Sequence, residues 1–194
     1  MAKGRPRSFD LNDALDKAIN VFWENGYENT SLDDLTAAMG INRPSLYAAF
    51  GNKESLFRKA LDRYCEKGAA ELRECLASTS ARKAIRELLD WTAEEQSCGD
   101  HPSGCLMMQS MCGDESNPIK RELSARRHLL QDALRERLQQ ARKDGELPGK
   151  TDTASLARYY ATVMQGMIVQ ASGGAGAAEL KHIAKLAMRA WPEA

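Results

Sequence analysis

Two groups of side chains in this sequence could do chemistry. The first is cationic: Lys3, Arg5 and Arg7 precede the first acid, Asp10, in a chain whose formal net charge is zero. A basic arm of that kind can follow a phosphate backbone or enter a minor groove. Overall neutrality means that any nucleic-acid binding must come from such local charge. The second group is sulfur and nitrogen. Cys98, Cys105 and Cys112 recur every seven residues, with His101 beside the first. A thiol near a helix N-terminus ionises more readily and reacts with oxidants or electrophiles; buried, inert thiols are the plainer reading. A Zn²⁺ site built from Cys98, His101, Cys105 and Cys112 is weaker still, because no Cys-x-x-Cys pair anchors it. No metal site and no cofactor is therefore expected. Nor is a nucleophile, base and orienting group visible together, since His128 and His182 fall on solvated helical faces. A cysteine-dependent enzyme stays a remote alternative, and the expectation is a protein that is not an enzyme.

The elements that position these groups are helices. Ala, Leu, Arg, Glu, Lys and Gln dominate, β-branched residues are sparse and alternation is rare, so the fold class is all-α. With 194 residues and 43% hydrophobic content, the chain can bury a core in one domain or two small ones. Apolar spacing at Leu11, Leu15, Ala18, Ile19 and Phe22 predicts a first helix over 11–25, stopped by Asn25-Gly26. Further helices are predicted over 53–78, 81–95, 105–111, 118–143, 152–171 and 177–191, with loops at 96–104 and 113–118. No apolar run is long enough to cross a membrane, and Phe9-Asp10-Leu11-Asn12-Asp13 is too polar for a secretory core. Together with five cysteines, an odd number without a small-scaffold framework, this predicts a cytoplasmic protein with reduced thiols.

The segment 30–52 is the most specific part of the chain. Ser31-x-x-Asp34 has capping-box spacing for a helix with Leu32, Leu35 and Met39 inward, and Gly40 can close that helix in the left-handed conformation. Asn42 can cap a second short helix, with Pro44 in its first turn. Helix, glycine turn, short helix is the helix-turn-helix plan. The pattern Thr30-Ser31-x-x-x-Leu35-x-x-x-Met39-Gly40-Ile41-Asn42-x-x-x-Leu46-Tyr47-x-x-Phe50-x-x-Lys53-Glu54-x-Leu56 resembles the signature of the tetracycline-repressor (TetR) family of bacterial regulators. One departure is Ala49, where many members carry an aromatic or histidine side chain.

That resemblance implies a DNA-binding head over 1–55 and a helical ligand-binding and dimerisation domain over 56–194. It implies that Arg43 reads a guanine edge in the major groove, that Ser45 contacts a base or phosphate, and that Tyr47, Lys53, Thr30 and Ser31 hold phosphates. Asn42 and Pro44 complete that surface. In the second domain the large or soft side chains Trp91, Met107, Met108, Met111, Tyr160, Met164 and Met167, with Cys105, are candidate linings for a small-molecule effector, and Gln109 and Gln165 could orient polar groups. Small residues Ala157, Ala161 and Gly166, with Leu180, Ile183, Ala187 and Trp191, are candidates for a homodimer interface made as a two-fold helical bundle. The implied function is a regulator, a repressor before an activator, bound as a homodimer to a palindromic double-stranded DNA operator and released by its effector. A thiol-based sensor using Cys98, Cys105 or Cys112 is the alternative.

Overall fold

The computed structural model describes residues 9–99, 101–102, 104–108 and 117–193, and these contain helices and no strand. Helix α1 spans Leu11–Asn29 and is broken by the non-helical Gly26, so the predicted stop at Asn25-Gly26 survives as a break in its last turn. Asp10 caps it, its carboxylate accepting from the amides of Asn12 and Asp13 at 2.8 and 2.9 Å. Helices α2 (Leu32–Met39) and α3 (Arg43–Phe50) follow, then α4 (Lys53–Leu76). The remaining helices are α5 (Ala81–Glu95), α6 (Pro118–Lys143), α7 (Thr153–Ser172) and α8 (Ala177–Ala187), which ends in one tighter turn, Met188–Ala190. Of the helix predicted over 105–111, a single 3₁₀ turn, Leu106–Met108, is present, and its end lies outside the described residues.

The chain forms two compact units, Met1–Ala69 and Ala70–Ala194. The first reaches beyond the expected boundary at residue 55 because the early turns of α4 belong to its core: Leu56, Phe57, Ala60 and Leu61 are fully buried. Ala18 and Phe22 of α1, Leu35 of α2 and Leu46 of α3 are likewise fully buried. Edge-to-face rings lock the packing, with Phe22 and Phe57 4.9 Å apart and Trp23 and Tyr64 also at 4.9 Å. A two-pronged ion pair joins α1 to α4: the Arg63 guanidinium donates to both Asp16 oxygens at 2.8 and 2.7 Å, and Lys67 lies 3.5 Å from the same carboxylate.

In the second unit α7 lies against α6, α5 and α8. Ile85, Leu88 and Leu89 of α5, Leu134 and Leu138 of α6, Tyr160 and Met167 of α7 and Leu180 of α8 form one continuous core. Three of these helices start at a side-chain cap. The side chains of Ser80, Asn117 and Asp152 accept from first-turn amides of α5, α6 and α7, satisfying donors that a helix N-terminus would otherwise leave unpaired.

Candidate nucleic-acid interface and effector body

The helix-turn-helix is built by short-range bonds. Ser31 Oγ accepts from the Asp34 amide at 3.1 Å while Asp34 Oδ2 accepts from the Ser31 amide at 2.8 Å, which is the reciprocal capping box. Gly40 sits at φ 67°, with open space where a Cβ would be; the position demands glycine for its backbone conformation, not for room. The Ile41 amide then donates to the Thr36 carbonyl at 3.1 Å and closes α2. Asn42 Oδ1 accepts from the Ser45 amide at 2.8 Å and starts α3. With Leu46 and Phe50 buried beneath, the opposite side of α3 presents Arg43, Pro44 and Tyr47 to solvent, and Tyr47 is half exposed.

Two residues already have their hydroxyls engaged. Thr30 is buried, and its hydroxyl donates to the Gly26 carbonyl at 2.6 Å. The Ser31 hydroxyl donates to Asp34 Oδ2 at 2.6 Å. The Thr30 hydroxyl thus braces the last turn of α1, and the Ser31 hydroxyl caps α2. Ser45 is half-buried, and Asn42 is exposed but bonded as the cap. Lys53 holds its ammonium 4.6 Å above the Tyr27 ring and 3.4 Å from the Glu28 carbonyl, which fixes a cation at the start of α4. Lys3, Arg5 and Arg7 lie outside the described residues.

Two features were not legible beforehand. Arg43 is paired with Asp33 of α2: Nη2 lies 2.8 Å from each carboxylate oxygen and Nε 3.2 Å from Oδ1. Both side chains are more than half exposed, so the guanidinium is held in place by a bond that a stronger acceptor can replace. Lys59 is the second, donating to the Ala49 carbonyl at 3.3 Å above the Phe50 ring, a further cation at the C-terminal end of α3.

In the second unit the expected effector lining is divided. Tyr160, Met164 and Met167 are packed inside the core. The Tyr160 hydroxyl is buried without a hydrogen-bond partner among the described residues, and burial pushes its pKa up to about 12. Cys105 is buried, Trp91, Met107 and Met108 are half-buried, and Met111, Gln109 and Cys112 lie outside the described residues. Two open grooves occur elsewhere. One of about 350 Å³ is lined by Arg86, Asp90, Lys181, Ala184, Lys185 and Met188, and one of about 500 Å³ includes Pro148, Leu156, Tyr159 and Pro192. Neither is lined by any of the residues expected from the sequence.

The expected dimer-interface residues are rearranged in the same way. Ala157, Ala161, Leu180, Ala187 and Trp191 are covered by their own chain, because their stripes on α7 and α8 face the internal core. Gly166 is exposed and Ile183 half-buried. The apolar side chains that α7 and α8 turn outward are Tyr159, Val169 and Leu186, at 40%, 55% and 44% exposure.

Cys98 is exposed just past the C-terminal end of α5, not at a helix N-terminus, and donates to the Glu95 carbonyl at 3.1 Å. The loop beyond it is held by Gln96, whose Oε1 accepts from the Gly104 amide at 3.0 Å. Gly104 has φ 99°, a conformation that favours glycine, and a Cβ there would also come within 2.6 Å of the rotatable Ser172 Oγ. The loop also brings together a metal-competent group, Cys98 and His101 with Glu95, the last of which has no part in the site weighed from the sequence.

Comparison with known proteins agrees with this architecture at both ends of the chain. The family described as bacterial regulatory proteins, tetR family, matches residues 14–60, and the tetracyclin repressor-like C-terminal domain matches residues 91–185. The HTH-type transcriptional repressor ComR of Escherichia coli K12 is 38% identical over 99% of this chain and 93% of its own length. A cysteine-substituted form of the TetR-family regulator CifR, solved with 26-base-pair double-strand operator DNA, superposes with a TM-score of 0.92 at 42% identity, covering 97% of this chain and all of that one. A TetR regulator from Rhodococcus sp. RHA1 is 40% identical, with a TM-score of 0.66 over 95% of this chain and all of that one. Similarity that runs through the helix-turn-helix and the helical second unit alike establishes that the chain belongs to the TetR family of transcriptional regulators.

Proposed function

We propose that two copies of this chain bind a two-fold-symmetric DNA operator as a repressor and leave it when an effector binds the second unit. The observation that carries the reading is the outward face of α3, where Arg43, Pro44 and Tyr47 are exposed beside the fixed ammonium of Lys53. It gains support from the similarity to a regulator solved on operator DNA. Arg43 exchanges Asp33 for a guanine edge, and Tyr47, Lys53 and the basic arm of Lys3, Arg5 and Arg7 set register on phosphates. The outward apolar residues Tyr159, Val169 and Leu186, with Gly166 and Ile183, support pairing of α7 and α8 with a second copy. An effector that binds one conformation better shifts α4, one continuous helix from Lys53 to Leu76, and thereby the separation of the two recognition helices.

Selection of bound sequences from random DNA tests the whole reading. Enrichment of a palindrome with half-sites about one helical turn, about 34–36 Å, or a multiple of it apart is expected. Enrichment of nothing, or of an asymmetric site bound by one chain, overturns it. The thiol alternative rests, among the described residues, on exposed Cys98, since Cys105 is buried. An undiminished response to an electrophile in the chain with Cys98, Cys105 and Cys112 all changed to Ser removes it.

A further inference from the structure

We propose that Glu95, Cys98 and His101 form a binding site for a divalent metal ion of the Zn²⁺ class. Glu95 is the last residue of α5, and Cys98 and His101 lie in the turn that follows, at a regular spacing of three. Their donor atoms all lie within 4.8 Å of one another. With metal bonds of about 2.0–2.3 Å, tetrahedral ligands stand about 3.3–3.6 Å apart, so a small adjustment of these side chains brings all three onto one ion.

The imidazole carries the argument. His101 Nδ1 is 2.9 Å from the Pro102 carbonyl oxygen, which can only accept, so Nδ1 holds a hydrogen. Nε2 then faces Glu95 Oε1 at 3.1 Å. With that hydrogen on Nδ1, the Nε2 lone pair and the Glu95 carboxylate oxygen converge on one point, where a single ion can bond to both. The bond from Nδ1 to a carbonyl is the outer arrangement that orients metal-binding imidazoles. The His101 side chain is only 16% exposed, which limits competition from water.

The ion class follows from the donors. A thiolate sulfur, an imidazole nitrogen and a single carboxylate suit a borderline transition metal, whereas Ca²⁺ takes six to eight oxygens, and Mg²⁺ an octahedral set, that this cluster does not offer. On binding, Cys98 gives its thiol proton to solvent in place of donating it to the Glu95 carbonyl. Any proton on His101 Nε2 leaves likewise. One thiolate and one carboxylate then neutralise the dication, and its fourth position stays open to water or a further donor. The ion joins the end of α5 to the 96–104 loop.

The test is titration of the full-length, tag-free chain with Co²⁺, a spectroscopic stand-in for Zn²⁺. A thiolate-to-Co²⁺ charge-transfer band saturating at one ion per chain, and bleached by Zn²⁺, is expected. Cys98→Ser should abolish the band; His101→Ala and Glu95→Gln should each weaken Co²⁺ affinity at least about 10–100-fold. Cys65→Ser should leave it unchanged. Melting temperatures matching the parent chain certify that each variant is folded. The proposal is overturned by a parent chain with no charge-transfer band. It is equally overturned by a band that survives Cys98→Ser, or by one whose affinity is unmoved by both His101→Ala and Glu95→Gln, since that would be binding to a lone thiol.

Discussion

If the Arg43–Asp33 pair holds the base-reading guanidinium in reserve, then removing Asp33 should strengthen DNA binding at little cost to the fold. In the free protein Arg43 makes three bonds of 2.8–3.2 Å to Asp33, and these must break before it can reach a guanine. Both side chains are more than half exposed, 54% and 76%, so the pair is screened and contributes about 0–1 kcal/mol. Asp33→Asn weakens that competition, leaving one neutral acceptor, and removes one negative charge beside the phosphates. The expected gain is at most about 1 kcal/mol per chain, so about 2 kcal/mol or roughly a factor of thirty in operator affinity for two chains, with a small change in melting temperature from the lost acid in the first turn of α2. Arg43→Ala should cost about 1–3 kcal/mol of discrimination at one base position. The assay is fluorescence anisotropy on the selected operator and on single-base variants, in Asp33→Asn, Arg43→Ala and the double variant. In the double variant, the part of the Asp33→Asn gain that depends on sequence should vanish. Asp33→Asn binding the operator no more tightly, or a gain that persists undiminished without Arg43, would refute the idea that Asp33 competes with DNA for this side chain.

Three further outcomes are expected. Tyr47→Phe and Lys53→Ala should weaken all DNA sequences alike, the lysine variant also lowering the salt slope by about 1; a change confined to base preference, read in the same anisotropy assay, refutes the phosphate assignment. The bond from Arg63, reinforced by Lys67 and opposed by partial burial, holds the Asp16 carboxyl below its ordinary value of 3.8. Its contribution is thus present above that value and lost as pH falls through the lowered one. Asp16→Asn should therefore be less stable than the parent at neutral pH, with the difference shrinking in acid-titrated denaturant melts; a difference constant with pH contradicts this. Leu186→Glu, on the outward face of α8, should turn a dimer into a folded monomer at micromolar concentration in sedimentation, whereas Ala161→Glu, inside the core, should lower the melting temperature sharply. The reverse pattern would mean that the burial in one chain does not separate core from interface.

Much of the head was legible because its signals are local. Ser31 with Asp34, Gly40, and Asn42 with Ser45 each act within a few residues, so spacing alone identifies the caps and the turn between α2 and α3. The starts of α6 and α7 followed from the same rule. What failed to show was any relation across the chain. Asp33 and Arg43 are ten residues apart with no periodic link, and nothing in the spacing of Thr30 signals the bond from its hydroxyl to the Gly26 carbonyl. Glu95 was overlooked beside Cys98 and His101 because a glutamate ending a charged helix carries no signal of its own until the turn folds His101 back onto it.

The sequence by itself determined that the chain is helical, where its helices begin, and that residues 30–52 form a helix-turn-helix, because capping and amphipathic spacing depend on neighbours along the chain. Only tertiary structure decided which apolar stripe faces inward. On α7 both Ala157 with Ala161 and Tyr159 with Val169 are apolar rows at helical spacing, and burial chose the first for the core and left the second outside. Helical periodicity says that a stripe wants cover; whether its own chain or a second copy supplies that cover depends on where the other helices lie.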